Sequence, residues 1–413
     1  MCTQPAFSRP DSSCMLFRMD DGHFDHDHFI AAHSAGWTAL RRDLHAHPEL
    51  AFAEHRTADL VAARLEGAGI AVRRGLADTG VVGLVEGRQP GPMIGLRADM
   101  DALPLHERND FAHRSVHVGR MHACGHDGHT AMLLAAAETL AAAPDFAGRV
   151  AFIFQPAEEG DGGARRMMDE GLFADFPCEE VYALHNWPGL EAGCFAAHRG
   201  PVMASADQFD ITLRGRGAHA AMPHQGLDPV TAAAALVQTL QTVVSRRTDP
   251  LRAGVVSVTR MQAGEAYNVI PETVTIGGTV RALDNTVRDA LQAQITAAAE
   301  GIAAAHGLHA TVDYRRGYPA TVNHAAQADF AGAVAAALVG QEHVRRDMDP
   351  SMGAEDFGFM LMEKPGAYLW IGNGPGSGGC MLHNPLYDFN DDILPLGVRF
   401  WRALVLARLP LAV

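Results

Sequence analysis

The spacing of apolar residues changes several times along the chain, and each change predicts a helix or a strand. Helical spacing over Phe29 to Leu44 and Glu54 to Ala68 predicts two amphipathic helices. Gly80 to Glu86 and Met93 to Ala98 read as strands separated by a Gly- and Pro-rich turn. The second run is apolar throughout, which is typical of a strand covered by helices on both faces. The pattern predicts an α/β domain with a mixed sheet in an α/β/α sandwich.

Polar residues follow the buried strands of this predicted sheet. Asp99 and Asp101 come after the strand that ends at Ala98. An apolar strand from Arg149 to Gln155 is followed by Glu158 and Glu159, and the strand that begins at Val181 leads to His185. Functional groups in open α/β sheets usually lie at the carboxyl ends of strands. A polar loop at a strand end explains any one of these cases, but the repetition favours a shared site.

The pattern changes near Gly200 and predicts a second, inserted domain. Its elements are a strand at 207–214, a helix at 229–244, strands at 254–260 and 273–281, a helix at 285–306 and a strand at 310–314. This β-α-β-β-α-β order is the ferredoxin-like arrangement. We therefore predict a catalytic domain formed by residues 31–202 and 316–413, an inserted α+β domain at 203–315, and a disordered extension at 1–30.

Composition narrows the possible partners and the compartment. The 413 residues carry a formal charge of -15 and no cluster of Lys and Arg, which argues against nucleic acid as a partner. No apolar run approaches the roughly 20 residues that span a bilayer, and the N-terminal segment lacks the pattern of a secretory signal. The six cysteines are scattered, which fits free thiols in a reducing compartment. We expect a cytoplasmic protein.

The stretch M-H-A-C-G-H-D-G-H-T, Met121 to Thr130, has the composition of half a metal site. In an extended or looped segment Cys124 and His126 point to the same side, and their thiolate and imidazole suit zinc. Imidazole also accepts manganese, cobalt and nickel. A loop with surface histidines before a helix would give the same pattern, so the prediction depends on ligands from other segments.

Those segments complete a set of five ligands for two metal ions. The predicted ligands are Cys124, His126, Glu159, His185 and His383. Five ligands are too many for one tetrahedral catalytic zinc and suit two divalent ions, Mn²⁺ or Zn²⁺ with Co²⁺ or Ni²⁺ as further choices, that activate a shared water. Glu158 and Glu159 point in opposite directions if the segment is extended, so Glu158 is free to act as general base.

Other residues of these segments are predicted to support the ligands. Asp99, Asp101 and Asp127 are candidates for hydrogen bonds to ligand side chains. His122 and His129 are assigned supporting or structural roles.

Several motifs together resemble the aminoacylase and hippurate hydrolase family of metallo-amidohydrolases, a branch of peptidase family M20 that includes plant indoleacetyl-amino-acid hydrolases. They are R-R-D-L-H-A-H-P-E-L, G-L-R-A-D-M-D-A-L-P, M-H-A-C-G-H-D-G-H-T, F-Q-P-A-E-E-G, A-L-H-N-W-P, G-A-H-A-A-M-P-H, N-V-I-P, G-A-E-D-F and L-H-N-P. They occur in order from about Ala32 to the C-terminus. Other branches have a carboxylate where this chain has Cys124, so the preferred metal stays open.

The resemblance implies the same two-metal site and adds roles for the insert. It implies that the insert mediates homodimerisation, with a dimer of dimers as a further possibility, and acts as a lid. His219 would reach the partner's active site to stabilise the oxyanion, and Asn268 and Arg281 would contact polar groups of the substrate. His224 and Glu355, within matched motifs, are candidate substrate contacts. From the residues alone, a turn histidine, an Asx-turn and a strand-end charge explain His219, Asn268 and Arg281 equally simply.

The function predicted from these residues is hydrolysis of an N-acyl amino acid, such as N-benzoylglycine or an N-acetyl amino acid, to a carboxylate and an amino acid. Alternatives with the same chemistry are a deacetylase of N-acetyl-diaminopimelate type and a dipeptidase. A non-catalytic metal or amino-acid binding protein and a cysteine hydrolase that uses Cys124 remain as different classes.

Overall fold

A computed structural model describes residues 24–375 and 380–412. Its helices are α1 (His26–Ala46), α2 (His55–Gly67), α3 (His126–Ala142), α4 (Gly163–Asp169), α5 (Leu172–Asp175), α6 (Pro229–Arg247), α7 (Asn285–Ala305), α8 (Ala325–Val339), α9 (Phe357–Glu363) and α10 (Leu394–Arg408). Its strands are β1 (Ala71–Leu76), β2 (Gly80–Glu86), β3 (Gln89–Asp99), β4 (Ala147–Gln155), β5 (Glu180–Pro188), β6 (Phe195–Ala196), β7 (Gly200–Met203), β8 (Asp207–Arg214), β9 (Ala218–His219), β10 (Gly254–Ala263), β11 (Val269–Ile270), β12 (Thr273–Ala282), β13 (His309–Arg316), β14 (Thr321–Asn323), β15 (Val344–Arg345) and β16 (Gly366–Gly374). Short 3-10 turns lie at Pro223–Gln225, Gln341–His343 and Asp391–Ile393.

The chain divides into two compact units. The first, called the metal unit below, contains the described residues up to 197 together with 327–346 and those from 364 onward. The second, called the insert unit, contains residues 198–326 and 347–363. Each unit has its own sheet and its own hydrophobic core.

The metal unit has a mixed eight-stranded sheet in the order β1-β2-β4-β3-β5-β16-β6-β15. Strands β4, β3, β5 and β16 are parallel neighbours, so their carboxyl ends lie at the same edge. The alanine-rich helix α3 is buried along nearly its whole length because α1, α2 and α10 pack around it. This arrangement confirms the predicted α/β class with a mixed sheet.

Local structure differs from the sequence prediction in three places of the metal unit. Helix α1 begins at His26 because Asp25 caps it, accepting a hydrogen bond of 2.9 Å from the His28 amide, and because Phe29 and Ile30 are buried. The prediction of disorder is therefore wrong for residues 26–30, and residues 1–23 lie outside the described residues. Strand β1 was not predicted, since its exposed, Arg-containing sequence lacks an apolar run. The predicted turn before Met93 is largely strand, because β3 begins at Gln89 with an irregular register.

The insert unit has a four-stranded antiparallel sheet in the order β10-β12-β8-β13. In chain order the unit reads β8-α6-β10-β12-α7-β13, so its topology is ferredoxin-like as predicted. Helices α6 and α7 cover one face, and their buried positions form one core with the sheet, including Phe209, Leu236 and Leu291. At one end of the sheet the Asp207 carboxylate accepts a bidentate pair of hydrogen bonds from buried Arg288.

Residues 347–363 belong to the insert unit, although they were predicted to lie in the catalytic domain. The amide of Ala204, which follows β7, lies within hydrogen-bond distance of the carbonyl oxygens of Ser351 and Gly353. Thr321 of β14 donates its hydroxyl proton to the carbonyl of Glu355 at 3.1 Å. These contacts join the segment that follows α8 to residues near β7 and β14, which both precede α8. Local spacing does not reveal such long-range contacts. None of the helices within residues 24–375 and 380–412 is long and apolar enough to cross a membrane.

Candidate metal centre

The segment that carries Cys124 and His126 is bent sharply. Gly125 between them has φ of 92°, and His126 is the first residue of α3. A Cβ on Gly125 would lie 2.2 Å from the Asn186 side-chain oxygen, so only glycine fits this position. Of the two backbone forms that the sequence allowed, extended or looped, the segment has the looped one. The bend places the two side chains against different neighbours of one buried cluster.

Cys124 lies beside His185, with 3.5 Å between Sγ and Nε2. The His185 Nδ1 atom lies 2.7 Å from the carbonyl oxygen of Asn186 and donates to it. This bond leaves the Nε2 lone pair directed to the cluster, as in metal-binding histidines. Burial, with the charges of His129 and His126, holds the pKa of His185 well below its usual range. A neutral imidazole is the form that binds a metal.

His126 is oriented in the same way by Asp101. Its Nδ1 atom is 2.9 Å from the Asp101 carbonyl oxygen and 3.2 Å from Oδ1 of the carboxylate. Its Nε2 atom faces Glu159 Oε1 at 4.0 Å and Asp99 Oδ2 at 3.7 Å. Burial lowers the pKa of His126, but the surrounding carboxylates outweigh it and raise this pKa to about 10. The carboxylates around His126 Nε2 therefore favour a positive charge at this point, either a proton or a metal cation.

His383 and Glu159 close the other side of the cluster. The His383 Nε2 atom is 3.3 Å from Glu159 Oε1, and both belong to a group with Cys124 whose donor atoms lie within 4.8 Å of one another. The His383 amide donates to the carbonyl of Ala123 at 2.8 Å, and His383 itself has φ of 63°. The structure thus brings all five predicted ligands together in the metal unit.

Glu158 and Glu159 lie in a tight turn. Ala157 has φ of 54°, and the Gly160 amide donates to the Glu158 carbonyl at 2.7 Å. Both carboxylates share a group with His126 in which the donor atoms lie within 4.8 Å of one another. The expectation that they point in opposite directions is therefore wrong, because the backbone is not extended here.

The residues present fit a divalent metal centre on chemical grounds. His126 Nε2 and Glu159 Oε1 are buried and have no hydrogen-bond partner among the described residues, although buried polar atoms are normally paired. Burial and the charges of Glu159, Glu158 and Asp99 raise the pKa of the Cys124 thiol well above its usual range. A cation at this point would reverse that effect, since a coordinated thiol is deprotonated. The donor set of one sulfur, three imidazoles and a carboxylate suits borderline ions.

Asp99 supports the cluster from the end of β3. Its Oδ1 accepts a hydrogen bond of 2.6 Å from His129 Nδ1, and Arg97 donates to its Oδ2 at 2.8 Å. Burial alone would raise the pKa of Asp99, but His126, Arg97 and His129 hold it well below its usual range. Asp99, His126, His129 and His185 form a further group of donor atoms within 4.8 Å. Asp99 is therefore an ionised neighbour of two predicted ligands.

Asp127 faces away from this cluster, into a second buried network. Its Oδ2 accepts a hydrogen bond of 2.8 Å from His45 Nδ1 and lies 3.4 Å from Arg41 Nη1. Burial lowers the pKa of His45, but Asp127 and Glu107 raise it to about 9. His122 lies nearby, buried and without a hydrogen-bond partner among the described residues, and burial lowers its pKa to about 4. Asp127 thus contacts His45 and Arg41, neither of which is a predicted ligand.

The remaining candidates lie in the insert unit. His219 in β9 pairs with Val269 in β11, next to Asn268, and both candidates are exposed. His219 Nδ1 accepts the amide proton of Ala221 at 3.1 Å, so Nε2 carries the ring proton. Arg281 is half-buried near the end of β12, where it donates to the carbonyl of Val280 at 3.1 Å.

The other two candidates of this unit differ in burial. His224 lies exposed in a 3-10 turn. Glu355 is 2% exposed, and its Oε1 accepts the Phe357 amide at 2.9 Å.

Sequence reasoning missed several residues that shape the centre. Asn186 accepts from His185 and its main-chain amide donates to His129 at 3.1 Å. Tyr387 packs behind the Cys124 segment with Met121 and Ala123. The H-N-W-P motif contained Asn186, but motif spacing does not indicate which atoms of a residue face a site.

Comparison with known proteins decides the family. Residues 95–407 match the family described as Peptidase family M20/M25/M40. The chain belongs to this family. Hippurate hydrolase of Campylobacter jejuni is 41% identical over 367 residues, which are 89% of this chain and 95% of that protein. An IAA-amino acid hydrolase of Arabidopsis thaliana is 40% identical over 364 residues, covering 87% of this chain and 82% of the relative.

A solved structure supports the same assignment. A Bacillus subtilis protein described as a dinuclear metal binding peptidase from the M20 family superposes with a TM-score of 0.81 and 33% identity, covering 92% of this chain and 99% of that one. The resemblance predicted from the motifs is confirmed, and this member of the M20 family is a metal-dependent amidohydrolase. The metal unit contains a buried cluster of donors that could hold its metal.

Proposed function

We propose that this M20 family member hydrolyses the amide bond of N-acyl amino acids at a two-metal centre formed by Cys124, His126, Glu159, His185 and His383. The observation that carries the proposal is that His126 Nε2 and Glu159 Oε1, two buried atoms in the middle of these donors, have no hydrogen-bond partner among the described residues. The products are a carboxylate and a free amino acid. The ions are Mn²⁺ or Zn²⁺, with Co²⁺ or Ni²⁺ as further choices that the donor set accepts.

The residues around the centre divide the chemistry between them. Two divalent ions, when bound, lower the pKa of a water and polarise the carbonyl that this water attacks. Glu158 accepts the proton of the attacking water and returns it to the nitrogen that leaves. Its position supports this role, because Glu158 is 6% exposed and shares a donor group with His126 and Glu159. Asp101 orients His126, and Asp99 keeps the cluster negatively charged.

The acyl group is proposed from the relatives. By name, one relative hydrolyses hippurate, which is N-benzoylglycine, and another hydrolyses conjugates of IAA with amino acids. Both acyl groups carry an aromatic ring, so we place an aromatic N-acyl amino acid first and N-acetyl amino acids second. A deacetylase of N-acetyl-diaminopimelate type and a dipeptidase are the alternatives.

A direct test compares metal-free and reconstituted protein on a substrate panel. We expect chelated protein to lose hydrolysis of N-benzoylglycine and to regain it with Mn²⁺ or Zn²⁺. Undiminished turnover after verified metal removal would contradict the proposal. The panel should also include N-acetylmethionine, N-acetyl-diaminopimelate and glycyl dipeptides, because a preference for either of the last two would move the function to an alternative. Absence of turnover on every member would favour a binding protein.

The same samples test a cysteine hydrolase. That mechanism requires activity that survives chelation and is lost on thiol alkylation. The raised pKa of the buried Cys124 thiol disfavours it, because the thiolate is the nucleophilic form.

The insert unit supplies the second part of the proposal. His219 Nε2 carries a proton that can stabilise an oxyanion, and Asn268 and Arg281 offer donors to polar groups of the substrate. His224 and Glu355 are proposed as further substrate contacts. We propose that His219 acts on the centre of a partner subunit in a homodimer or a dimer of dimers. A cytoplasmic location is also proposed, since Cys124, Cys178 and Cys194 are free thiols.

Subunit mixing distinguishes action across a dimer from action within one chain. Glu158→Gln and His219→Ala proteins should each be nearly inactive alone. If His219 acts on the partner, dissociation and reassociation of a mixture should restore a fraction of the activity. Each mixed dimer then contains one complete centre, in which the His219→Ala chain supplies Glu158 and the Glu158→Gln chain supplies His219. Mixtures that stay inactive, although exchange of subunits is verified, would contradict the action across subunits.

A further inference from the structure

The carboxylate of Glu54, just before α2, is fully buried at 0% exposure. It occupies the N-cap position of α2 but makes no capping hydrogen bond with its side chain. Burying a carboxylate is unfavourable unless its oxygens are paired. Both oxygens have partners from distant segments: Thr79 donates its hydroxyl proton to Oε2 at 2.6 Å, and the main-chain amide of Ala157 donates to Oε1 at 2.9 Å.

Ala157, which donates to Glu54, belongs to the turn that carries Glu158. Ala157 has φ of 54°, a left-handed conformation that residues other than glycine rarely adopt. Its carbonyl accepts the Gly163 amide at 3.0 Å, and a Cβ on Gly163 would lie 1.7 Å from the Pro156 carbonyl oxygen. The turn is therefore closely packed. The hydrogen bond between the Ala157 amide and Glu54 holds it at Ala157, the residue with the unfavourable backbone conformation.

A second carboxylate holds the other side of Glu158. Asp101 Oδ2 accepts the main-chain amide of Glu159 at 2.9 Å. The amides directly before and after Glu158 are thus each bound by a carboxylate from a different part of the chain, Glu54 on one side and Asp101 on the other. The backbone of Glu158 is fixed between these two points.

Thr79, the other hydrogen-bond partner of Glu54, lies in a turn that is itself held in place. Thr79 follows Ala77 and Asp78, which both have left-handed φ angles of 50° and 67°. The Ala77 amide donates to Glu170 Oε2 at 2.6 Å, so this turn is itself held in place. Glu54 thereby connects the turn between β1 and β2 with the turn that carries Glu158.

We propose that Glu54 is a positioning residue that holds the carboxylate of Glu158 in place for proton transfer by fixing the left-handed conformation of Ala157. This inference rests on the proposed role of Glu158 as general base. Without the bond to Glu54, Ala157 relaxes out of its left-handed conformation and Glu158 moves with it. Small displacements of a catalytic group reduce turnover strongly, whereas the metal ligands stay in position.

The hydrogen bonds explain which substitution should be tolerated. Burial raises the pKa of Glu54 to about 7. Thr79 and Ala157 both donate to the Glu54 carboxylate. A glutamine side chain can still accept from the Ala157 amide through its oxygen and can donate from its amide nitrogen to the Thr79 hydroxyl oxygen. Glu54→Gln therefore keeps the connection, while Glu54→Ala removes it.

The test measures kcat, KM and metal content for Glu54→Ala and Glu54→Gln. Val61→Ala serves as the matched control, since Val61 is a buried residue of α2 whose truncation leaves a cavity in the helix packing. We expect Glu54→Ala to lower kcat about 10- to 100-fold with KM and metal content within about twofold of the wild type. Glu54→Gln should stay within about threefold of the wild-type kcat, and Val61→Ala should lower the melting temperature but keep kcat. A wild-type kcat in Glu54→Ala, or equal losses in Val61→Ala, would overturn the inference.

Hydrogen exchange at the Ala157 and Glu159 amides gives a readout that does not depend on catalysis. The Ala157 amide should exchange slowly in the wild type and in Glu54→Gln and faster in Glu54→Ala, with Glu159 protected in all three. Equal protection of Ala157 in all variants would overturn the inference even if the protein had no amidohydrolase activity. Conversely, an active wild type in which Glu158→Gln is also active would refute the base assignment while leaving the exchange result valid.

Discussion

His129 donates a hydrogen bond of 2.6 Å from Nδ1 to Oδ1 of Asp99. The other ring nitrogen, Nε2, lies 2.6 Å from the side-chain oxygen of Asn186 and 3.1 Å from its main-chain nitrogen. One imidazole thus links the end of β3 with the residue after His185. His129 is a link between two segments of the candidate metal centre.

Removing this link should weaken metal binding. We expect His129→Ala to lower the affinity for Mn²⁺ or Zn²⁺ about 10- to 100-fold, the range typical of residues that orient metal ligands. Competition with a chromophoric chelator measures the affinity. His306→Ala is the control, since His306 is exposed at the end of α7. An unchanged affinity in His129→Ala would show that Asp99 and Asn186 keep their positions without it.

Cys124 should bias the centre towards softer ions. A thiolate favours Zn²⁺ over Mn²⁺, whereas a carboxylate suits Mn²⁺, so Cys124→Asp should lower the ratio of Zn²⁺ to Mn²⁺ affinity by about tenfold. Paired titrations of the metal-free protein measure both affinities. Cys194→Ser provides a control at a cysteine outside the donor groups. A ratio that does not change would remove Cys124 from the list of ligands.

Glu180 makes the stability of the metal unit sensitive to acid. It accepts hydrogen bonds from Arg408 Nε at 2.7 Å, Tyr182 at 2.6 Å and Gln327 at 2.9 Å. Burial alone would raise the pKa of Glu180, but Arg408, Tyr182 and Gln327 lower it. Because the folded pKa lies below that of the unfolded chain, this stabilisation is complete above the unfolded value of about 4.3. It is lost as the pH falls through the folded pKa.

Glu180→Gln should therefore be destabilised at neutral pH and differ less from the wild type at pH 3. We expect a loss of about 1 to 2 kcal/mol in the free energy of unfolding at pH 7, less than for a fully buried pair because the Arg408 side chain is 45% exposed. Urea unfolding at both pH values measures it. An equal difference at both values would mean that the ionised form of Glu180 contributes no stability.

The strand ends of the metal unit could be predicted because each strand is a distinct apolar run followed by polar residues. The parallel order of β4, β3, β5 and β16 then brings Glu159, Asp99 and His185 to one edge of the sheet. The insert was recognisable because its six elements follow a known order and have clear periodicity. These parts could be predicted from the sequence because their local pattern agrees with the overall fold.

Other features depend on tertiary contacts that local spacing does not encode. The left-handed Ala157 changes the directions of Glu158 and Glu159, which were inferred for an extended backbone. The bend at Gly125 depends on its close approach to Asn186, a residue 61 positions further along the chain. Glu54 is 103 residues from Ala157 in sequence, and no motif spacing links a glutamate before a helix with a distant amide. Residues 347–363 joined the insert unit through pairing with Ala204, which follows an edge strand.

The role of Glu158 is tested by the metal content and turnover of Glu158→Gln, measured on one preparation. We expect about two equivalents of divalent metal per chain, as in the wild type, and a kcat for N-benzoylglycine lowered about 10²- to 10⁴-fold by loss of the general base. Glu66→Gln, an exposed change in α2, should match the wild type in both. A Glu158→Gln protein with near wild-type turnover, or one that loses its metal together with its activity, would contradict the assignment of Glu158 as the unligated base of a two-metal centre.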